Sequence, residues 1–463
     1  MMADSGQPLS KGTVRRTATL RIGTGAGFSG DRLHPAVVLA ERGNIDYLVL
    51  ECLAERTIAI AHKSKLNGTG AGYDPWLDER LTALLPICAA KGIKIISNMG
   101  AASPADAARR TLEIAARLGL GTLKVAAITG DDVLDDLRAG KACLQDKDAL
   151  FPTSDDRIVS ANAYIGAFSI VDALEQGADV VMAGRVADPA LFLAPLVYEF
   201  GWAADDWHAL GCGTAVGHLM ECAGQITGGY YSDPGFKDVP DLANLGYPIA
   251  QVSADGSFEI TKVPGTGGVI SVQTCVEQML YEVHNPAEYL QPDVVADFSM
   301  VTFEDLGSDR VRVQGATGHP RTETLKVSVG YRGDWKGEGQ ISYYGANAAA
   351  RAQQAREILR AWLAEDFPDT PEHLVELIGC TPDASGNDCD LSEVGHVRLR
   401  FVSRMQDQAS AEWVGRAVES LYLNGPSGGG GVVSSADEII AIASGLIERR
   451  HVTTRAHIIE VET

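Results

Sequence analysis

Short apolar runs alternate with longer amphipathic segments from residue 17 to about residue 200. A polar loop follows each run, and then a segment of roughly 10–15 residues with helical spacing. The predicted strands are TATLRI (17–22), DYLVLE (46–51), IKIISN (93–98), TLKVAAI (122–128), IVSANAY (158–164) and DVVMAG (179–184). Strands that alternate with helices in this way predict a mostly parallel sheet with right-handed crossovers.

The pattern becomes richer in strands beyond residue 225. The elements predicted there are a hairpin in YPIAQVSADGSFEITK (247–262), strands in DRVRVQGATG (309–318), TLKVSVGYRG (324–333), 396–403 and 456–461, and helices over 347–363 and 409–421. We therefore predict an α/β protein with two domains. A mainly parallel sheet forms the first domain (17–225), a strand-rich α/β domain follows (226–463), and a flexible leader (1–16) precedes both.

The segment GTGAGFSGD (23–31) joins the first predicted strand to the first predicted helix. Its glycine spacing matches the dinucleotide-binding fingerprint, and Glu51 ends the second strand about 20 residues later, where an acid would hold a ribose. However, Ser29 and Asp31 put a hydroxyl and an acid where a pyrophosphate needs bare backbone. We therefore expect a substrate-facing loop that binds an anion, with glycines at positive φ and without nicotinamide or flavin. The expected contacts are Gly25, Gly27, Ser29, Gly30 and Asp31.

Polar residues end the predicted strands, and ligands of parallel α/β sheets bind at the carboxyl ends of strands. Glu51 is the candidate general base, because burial at a strand end would raise its pKa. Asn98 and Asn162 are suited to hydrogen-bond an enolate oxygen, or else to fix neighbouring loops. Arg185 could hold a carboxylate or phosphate, or instead pair with Glu51 or Asp188. Asp188 precedes Pro189, a pattern typical of a helix N-cap.

Two further patterns carry candidate chemistry. His218 and Glu221 lie one helical turn apart, which suits an acid–base dyad, two metal ligands or a helix-surface ion pair. Two ligands without a third do not define a metal site, so we predict no metal. The glycine-rich segment 425–431 precedes Ser435-x-x-Glu438 and predicts a second glycine-rich entry to a helix, with Gly428 and Gly429 as anion contacts.

Composition narrows the function classes. The formal net charge of −22 argues against nucleic acid or an anionic membrane as partner. The eight cysteines include no CxxC pair, which argues against a disulfide framework or a structural zinc site. The chain has neither a signal-peptide core nor an apolar run long enough for a transmembrane helix, so we expect a cytoplasmic protein.

Several separated motifs in the same order resemble the acyclic terpene utilisation AtuA-like family. They are GTGAGFSGDR, DYLVLECLAERT, ISNMGAASP, VVMAGRVADPAL, GHLMECAGQITGG, VPGTGGVISVQT and YLNGPSGGGG. The resemblance extends from residue 18 to about residue 445. It implies a role in bacterial catabolism of branched terpenoid acids through CoA thioesters, and it assigns no catalytic residues.

Two classes of function fit these observations. The first is a lyase, hydratase or isomerase that needs no cofactor and acts on a branched carboxylic acid or its CoA thioester. Glu51 or His218 would move the proton in such an enzyme. The second is a non-catalytic ligand-binding or scaffold subunit of a catabolic complex. We expect a homo-oligomer in either case, because strand-rich second domains often pair across subunits.

Overall fold

The computed structural model describes residues 19–144, 156–369, 372–379 and 394–460, so the expected leader (1–16) lies outside the described residues. The helices are α1 (Leu33–Arg42), α2 (Glu55–Leu66), α3 (Leu77–Lys91), α4 (Pro104–Arg117), α5 (Leu134–Arg138), α6 (Phe168–Glu175), α7 (Ala190–Phe200), α8 (Trp207–Met220), α9 (Val272–Leu280), α10 (Ala348–Asp366) and α11 (Gln408–Asn424). The strands are β1 (Thr19–Ala26), β2 (Tyr47–Leu50), β3 (Lys94–Ser97), β4 (Val125–Thr129), β5 (Ala142–Leu144), β6 (Ile158–Ala163), β7 (Val180–Ala183), β8 (Pro248–Ser253), β9 (Phe258–Lys262), β10 (Tyr289–Leu290), β11 (Val295–Asp297), β12 (Thr302–Asp305), β13 (Val311–Gln314), β14 (Thr317–His319), β15 (Thr324–Tyr344), β16 (His373–Ile378), β17 (His396–Met405), β18 (Gly429–Glu448) and β19 (Arg455–Ile459).

A large mixed sheet has the strand order β12-β13-β9-β8-β1-β2-β3-β7-β4-β19. Its central strands, β1, β2, β3, β7 and β4, are parallel neighbours, and antiparallel strands extend the sheet on both sides. The prediction of an α/β fold is therefore confirmed. One predicted member of this sheet is wrong: β6 pairs with β15 instead. Periodicity identifies a strand but does not name its partner.

The parallel strands are buried on both faces. Tyr47 and Val49 of β2 pack with residues of α6, α7 and α8, whereas Leu48 and Leu50 pack with residues of α1, α3 and α4. This arrangement explains the continuous apolar runs, since helices cover both sides of the sheet. The carboxyl ends of these strands therefore form an edge at which polar side chains can gather; we call it the carboxyl edge.

The chain divides into two compact units. The first comprises Met1–Gly330 and Ile442–Thr463, and the second comprises Tyr331–Ala441. In the second unit, antiparallel strands β16, β17 and part of β15 pack against α10 and α11. The sequence places its boundary at residue 225, but the hairpin of β8 and β9 that follows extends the sheet from β1.

The glycine-rich segment 425–431 does not enter a helix, so that expectation is wrong. It leads from α11 into β18, where the β-branched and apolar residues after the glycines take part in strand pairing. GPSGG (425–429) has the spacing of a nucleophile elbow, but that turn requires a strand before it and a helix after it. Here the order is reversed, because α11 precedes the segment and β18 follows it. Gly428 and Gly429 belong to the second unit, and a Cβ on Gly429 would lie 2.8 Å from Cδ1 of Ile341.

Candidate active site

Glu51 follows β2 at the carboxyl edge, and its position is fixed by two donors. Its Oε1 accepts hydrogen bonds from the backbone amide of Leu53 at 2.9 Å and from Nδ2 of Asn98 at 2.8 Å. Asn98 is itself oriented, because its Oδ1 accepts from the amide of Cys52 at 2.7 Å. Glu51 and Asn98 are both buried, with exposed fractions of 7% and 0%. The structure therefore brings together two of the residues that the strand ends predicted.

The pKa of Glu51 is raised well above its usual range. Burial is the main cause, and the nearby carboxyl of Asp188 adds to it. The hydrogen bonds from Asn98 and Leu53 and the charge of Arg185 act in the opposite direction. A carboxyl with a raised pKa can both remove and return protons close to neutral pH.

Arg185 lies just after β7 with a fully buried side chain. Its Nη1 donates to the carbonyl oxygen of Leu53, and its Nη2 lies 3.2 Å from Oδ1 of Asp188. The guanidinium carbon lies 4.2 Å from the centroid of the Tyr164 ring. The ion pair with Asp188, one of the two roles considered for Arg185, is therefore formed. Asp188 does not cap α7: Pro189 occupies the N-cap position, and no side chain caps this helix.

Asn162 contacts Arg185 indirectly, through Asp131. One carboxylate oxygen of Asp131 accepts from the backbone amide of Arg185 at 2.8 Å and from Nδ2 of Asn162 at 3.0 Å. Burial raises the pKa of Asp131 to about 6. Oδ1 of Asn162 is buried without a hydrogen-bond partner among the described residues. Asn162 therefore lies at the same edge, where its amide group fixes the turn that carries Arg185.

Arg185 is surrounded by more acids than one cation can balance. The carboxyls that interact with it electrostatically are Glu51, Glu55, Asp188 and Glu221. Burial raises the pKa of Asp188 to about 7, and the charges of neighbouring acids add to this effect against the opposing charge of Arg185. Burial also raises the pKa of Glu221. Burial and the charges of neighbouring acids therefore raise the pKa values of Glu51, Asp188 and Glu221.

His218 and Glu221 are buried together, so the surface ion pair considered from the sequence is wrong. Nδ1 of His218 lies 3.2 Å from Oε1 of Glu221, and Nε2 lies 3.2 Å from the carbonyl oxygen of Met279. The rings of Tyr289 and Phe298 cover the imidazole, with centroids at 5.1 and 5.8 Å. The described residues contain no group of three or more His, Cys, Asp or Glu side chains that could hold a metal ion.

A cavity of about 390 Å³ is lined by residues that hold Glu51, although Glu51 itself is not part of its wall. Leu53 and Asn98, which both donate to Glu51, lie in its wall. The remaining wall is largely apolar and includes Cys52, Ile60, Ala61, Tyr73, Met99 and Ala101. The carboxyl of Glu51 is therefore one hydrogen bond away from a space that can accept an apolar group.

The comparison with protein families agrees with the motif order. The model of the acyclic terpene utilisation family protein AtuA matches residues 20–458. The chain belongs to this family. No curated protein and no solved structure matches the chain.

The AtuA family is a terpene utilisation family, which places this chain in the catabolism of acyclic terpenes. The family description names neither a reaction nor catalytic residues. Among the described residues of this AtuA chain, no helix has the length and apolar character that crossing a membrane requires. The chemistry must therefore be inferred from the carboxyl edge.

The glycines of segment 23–31 in this AtuA chain pack against protein atoms. Gly25 lies within β1, where a Cβ would be 2.7 Å from Cδ2 of Leu50, and a Cβ on Gly27 would be 2.5 Å from the carbonyl carbon of Cys222. The expectation of positive φ is wrong: Gly23, Gly25, Gly27 and Gly30 are all outside that region. The amide of Gly27 donates to the carboxylate of Asp31 at 2.6 Å.

Sequence reasoning missed two residues beside Arg185, namely Glu55 and Lys326. Lys326 Nζ lies 3.1 Å from Oε1 of Glu55, and the hydroxyl of Tyr164 donates to the same oxygen. Although burial acts to raise the pKa of Glu55, Arg185, Tyr164 and Lys326 together lower it to about 2. Glu55 is therefore ionised throughout the ordinary pH range. Tyr164 ends a predicted strand, but nothing in the sequence signals Lys326 as a neighbour.

Proposed function

We propose that this AtuA-family chain is a catabolic enzyme that moves a proton on a branched carboxylic acid or its CoA thioester. Its reaction is a lyase, hydratase or isomerase reaction. The single observation that carries this proposal is Glu51, a buried carboxyl with a raised pKa whose two hydrogen-bond donors, Leu53 and Asn98, lie in the wall of a largely apolar cavity. Perturbed carboxyls next to a cavity are typical of proton-transfer sites.

The proposed reaction begins with Glu51 as a carboxylate. It removes a proton from the carbon next to the substrate carbonyl, and the electron pair of that C–H bond moves into the carbonyl to give an enolate. The fixed positive charge of Arg185 stabilises the negative charge that develops. Where the substrate carries a β,γ double bond, the anion is a dienolate, and return of the proton to its γ carbon shifts the double bond to the α,β position, which is an isomerisation.

Elimination needs an acid as well as a base. Burial raises the pKa of Asp188 to about 7, which suits this carboxyl to supply a proton. A proton from Asp188 to a β-hydroxyl, followed by collapse of the enolate, breaks the C–O bond and releases water. The reverse sequence is hydration. A pair of carboxyls in different environments supports such a division between base and acid.

The cavity supports a branched apolar substrate. Most of its wall is apolar, and its polar lining residues include Ser29, Asp74 and Asn98. Apolar walls with a few placed polar groups are typical of small-molecule sites. Burial of a methyl branch there is worth about 1 kcal/mol, which favours branched over linear chains of equal length.

The proposal is tested with the purified chain alone in D₂O. Methyl-branched acyl- and enoyl-CoA thioesters and the corresponding free acids are incubated with the protein, and exchange at the carbon next to the carbonyl is followed by proton NMR. We expect exchange or turnover that depends on protein concentration. Turnover only in a mixture with other catabolic proteins would contradict the proposal and favour a scaffold subunit. The cytoplasmic location and the homo-oligomer stay predictions.

A further inference from the structure

A second pocket of the first unit, of about 170 Å³, lies along α1 and carries positive charge. Arg32, His34 and Arg42 line it on one side, and Asn244, Tyr247 and Thr266 line it on the other. We call it the basic pocket. It is a local exception in a chain whose formal net charge is −22.

The two arginines of the basic pocket are anchored without being neutralised. Nη1 of Arg32 donates to the carbonyl oxygen of Ala243 at 2.7 Å, and Nη2 of Arg42 donates to that of Pro264 at 2.8 Å. Both side chains are exposed, and within the described residues neither guanidinium forms an ion pair with a carboxylate, although the chain has 61 acidic residues against 39 basic ones. Each anchored guanidinium keeps further N–H donors, which suit the oxygens of a phosphate.

The basic pocket lies at the same edge of the sheet as Glu51. Gly23 of β1 pairs with Ile249 of the antiparallel strand β8, so Tyr247 lies beyond Gly23, towards the carboxyl end of β1. Pro248 pairs with Lys262 of β9, so Thr266 comes from the loop next to Tyr247. Strand register therefore places the far wall of the pocket at the carboxyl edge.

A short segment connects the two sites. The residues that follow β1 pass from Gly27, beside the backbone of Cys222, to Arg32 in the basic pocket. Cys222 directly follows Glu221, a member of the acid cluster around Arg185. A ligand with an anionic end in the basic pocket could therefore extend along this edge towards Glu51.

We propose that the basic pocket binds the phosphate groups of a CoA thioester and that the acyl end reaches Glu51. This assignment rests on the proposed function and selects the thioester over the free acid as substrate. CoA joins a phosphorylated nucleotide to its thioester through a long flexible arm, which matches an anionic subsite separated from the site of proton transfer. Two guanidinium groups without acidic partners provide the charge that this nucleotide requires.

The test is calorimetric titration of the full chain with CoA, dephospho-CoA and inorganic phosphate. We expect CoA to bind, and its affinity to fall about tenfold or more in Arg32→Gln and in Arg42→Gln. Arg360→Gln changes an exposed arginine of α10 and is the matched control. Dephospho-CoA lacks the 3′-phosphate of CoA and should therefore bind more weakly than CoA.

Three outcomes would overturn the assignment. The first is an equal CoA affinity in the wild type and in both pocket variants. The second is no CoA binding at all. The third is binding of inorganic phosphate as tight as that of CoA, which would indicate a simple anion site. Exchange of free acids by a chain that does not bind CoA would reject the basic pocket and retain the proposed function. CoA binding that needs Arg32 and Arg42, without any proton exchange, would retain the pocket and reject the proposed function.

Discussion

At the scale of residues, the ionisation of Glu51 depends on its burial and on four neighbours with opposing effects, of which Leu53 donates a backbone hydrogen bond that favours the ionised form. Asn98 and Arg185 favour its ionised form, whereas burial and the carboxyl of Asp188 favour its protonated form. The balance leaves the pKa of Glu51 well above its usual range. Asp188, which follows β7, therefore helps to set the pH at which Glu51, which follows β2, loses its proton and can act as a base.

Replacement of Asp188 by Asn should shift the pH dependence of the reaction. The variant removes a negative charge that raises the pKa of Glu51, so the pKa of Glu51 falls. A base acts when it is deprotonated, so the rising acid limb of kcat/KM against pH should move to lower pH. Asp293→Asn is the control, because Asp293 is a buried carboxyl that binds the Ala167 amide at 2.9 Å. An unchanged limb in Asp188→Asn would contradict this coupling.

The sequence predicts a site residue when that residue directly follows a recognisable strand. Glu51, Asn98 and Arg185 follow buried strands, and the carboxyl ends of parallel strands meet at one edge. Asp188 was misjudged because Asp-Pro is a frequent helix start, and here the carboxyl turns to Arg185 instead. Lys326 lies 271 residues from Glu55 in sequence, so only the folded chain reveals their contact.

At the scale of elements, Asp131 joins three segments. It follows β4, accepts the amide of Arg185 after β7 and accepts the amide group of Asn162 on β6. Both hydrogen bonds reach the same oxygen, so an asparagine could accept both. The carboxylate form of Asp131 is nevertheless costly, because burial raises its pKa from 3.8 to about 6.

Asp131→Asn should make folding stability less sensitive to pH. The folded wild type holds the Asp131 proton more tightly than the unfolded chain, so stability falls as pH rises from 3.8 to about 6 and is level above that. The variant lacks this group. Its free energy of unfolding, relative to that of the wild type, should therefore increase by about 2 kcal/mol between pH 3.8 and about pH 6. Urea unfolding at several pH values measures the difference. A constant difference would contradict a raised pKa at Asp131.

The same scale explains which elements the sequence predicted. The continuous apolar runs of β2, β3 and β7 identify strands covered on both faces. The segment of β18 was misassigned because a Ser-x-x-Glu pattern after glycines resembles a helix start. Strand pairing with β15 overrides that local signal.

At the scale of the whole molecule, one edge of the large sheet collects the candidate chemistry of the first unit. Glu51, Arg185 and the basic pocket all lie there, on elements that are distant in sequence. The expected boundary at residue 225 rested on a change in pattern, but the sheet continues through β8 and β9. Composition cannot show which strands will pair. Motif order, in contrast, identified the AtuA family over nearly the whole chain.

The most direct test of the account is proton exchange by Glu51→Gln and Glu199→Gln in D₂O. Both glutamates are buried, but Glu199 accepts the hydroxyl of Tyr47 at 2.7 Å and is not among the carboxyls around Arg185. Thermal unfolding of both variants is compared with that of the wild type to show that they are folded. We predict that Glu51→Gln slows exchange of a branched acyl-CoA thioester by roughly 10²-fold or more. Glu199→Gln should retain the wild-type rate. A wild-type rate in folded Glu51→Gln would contradict the assignment of Glu51 as the base.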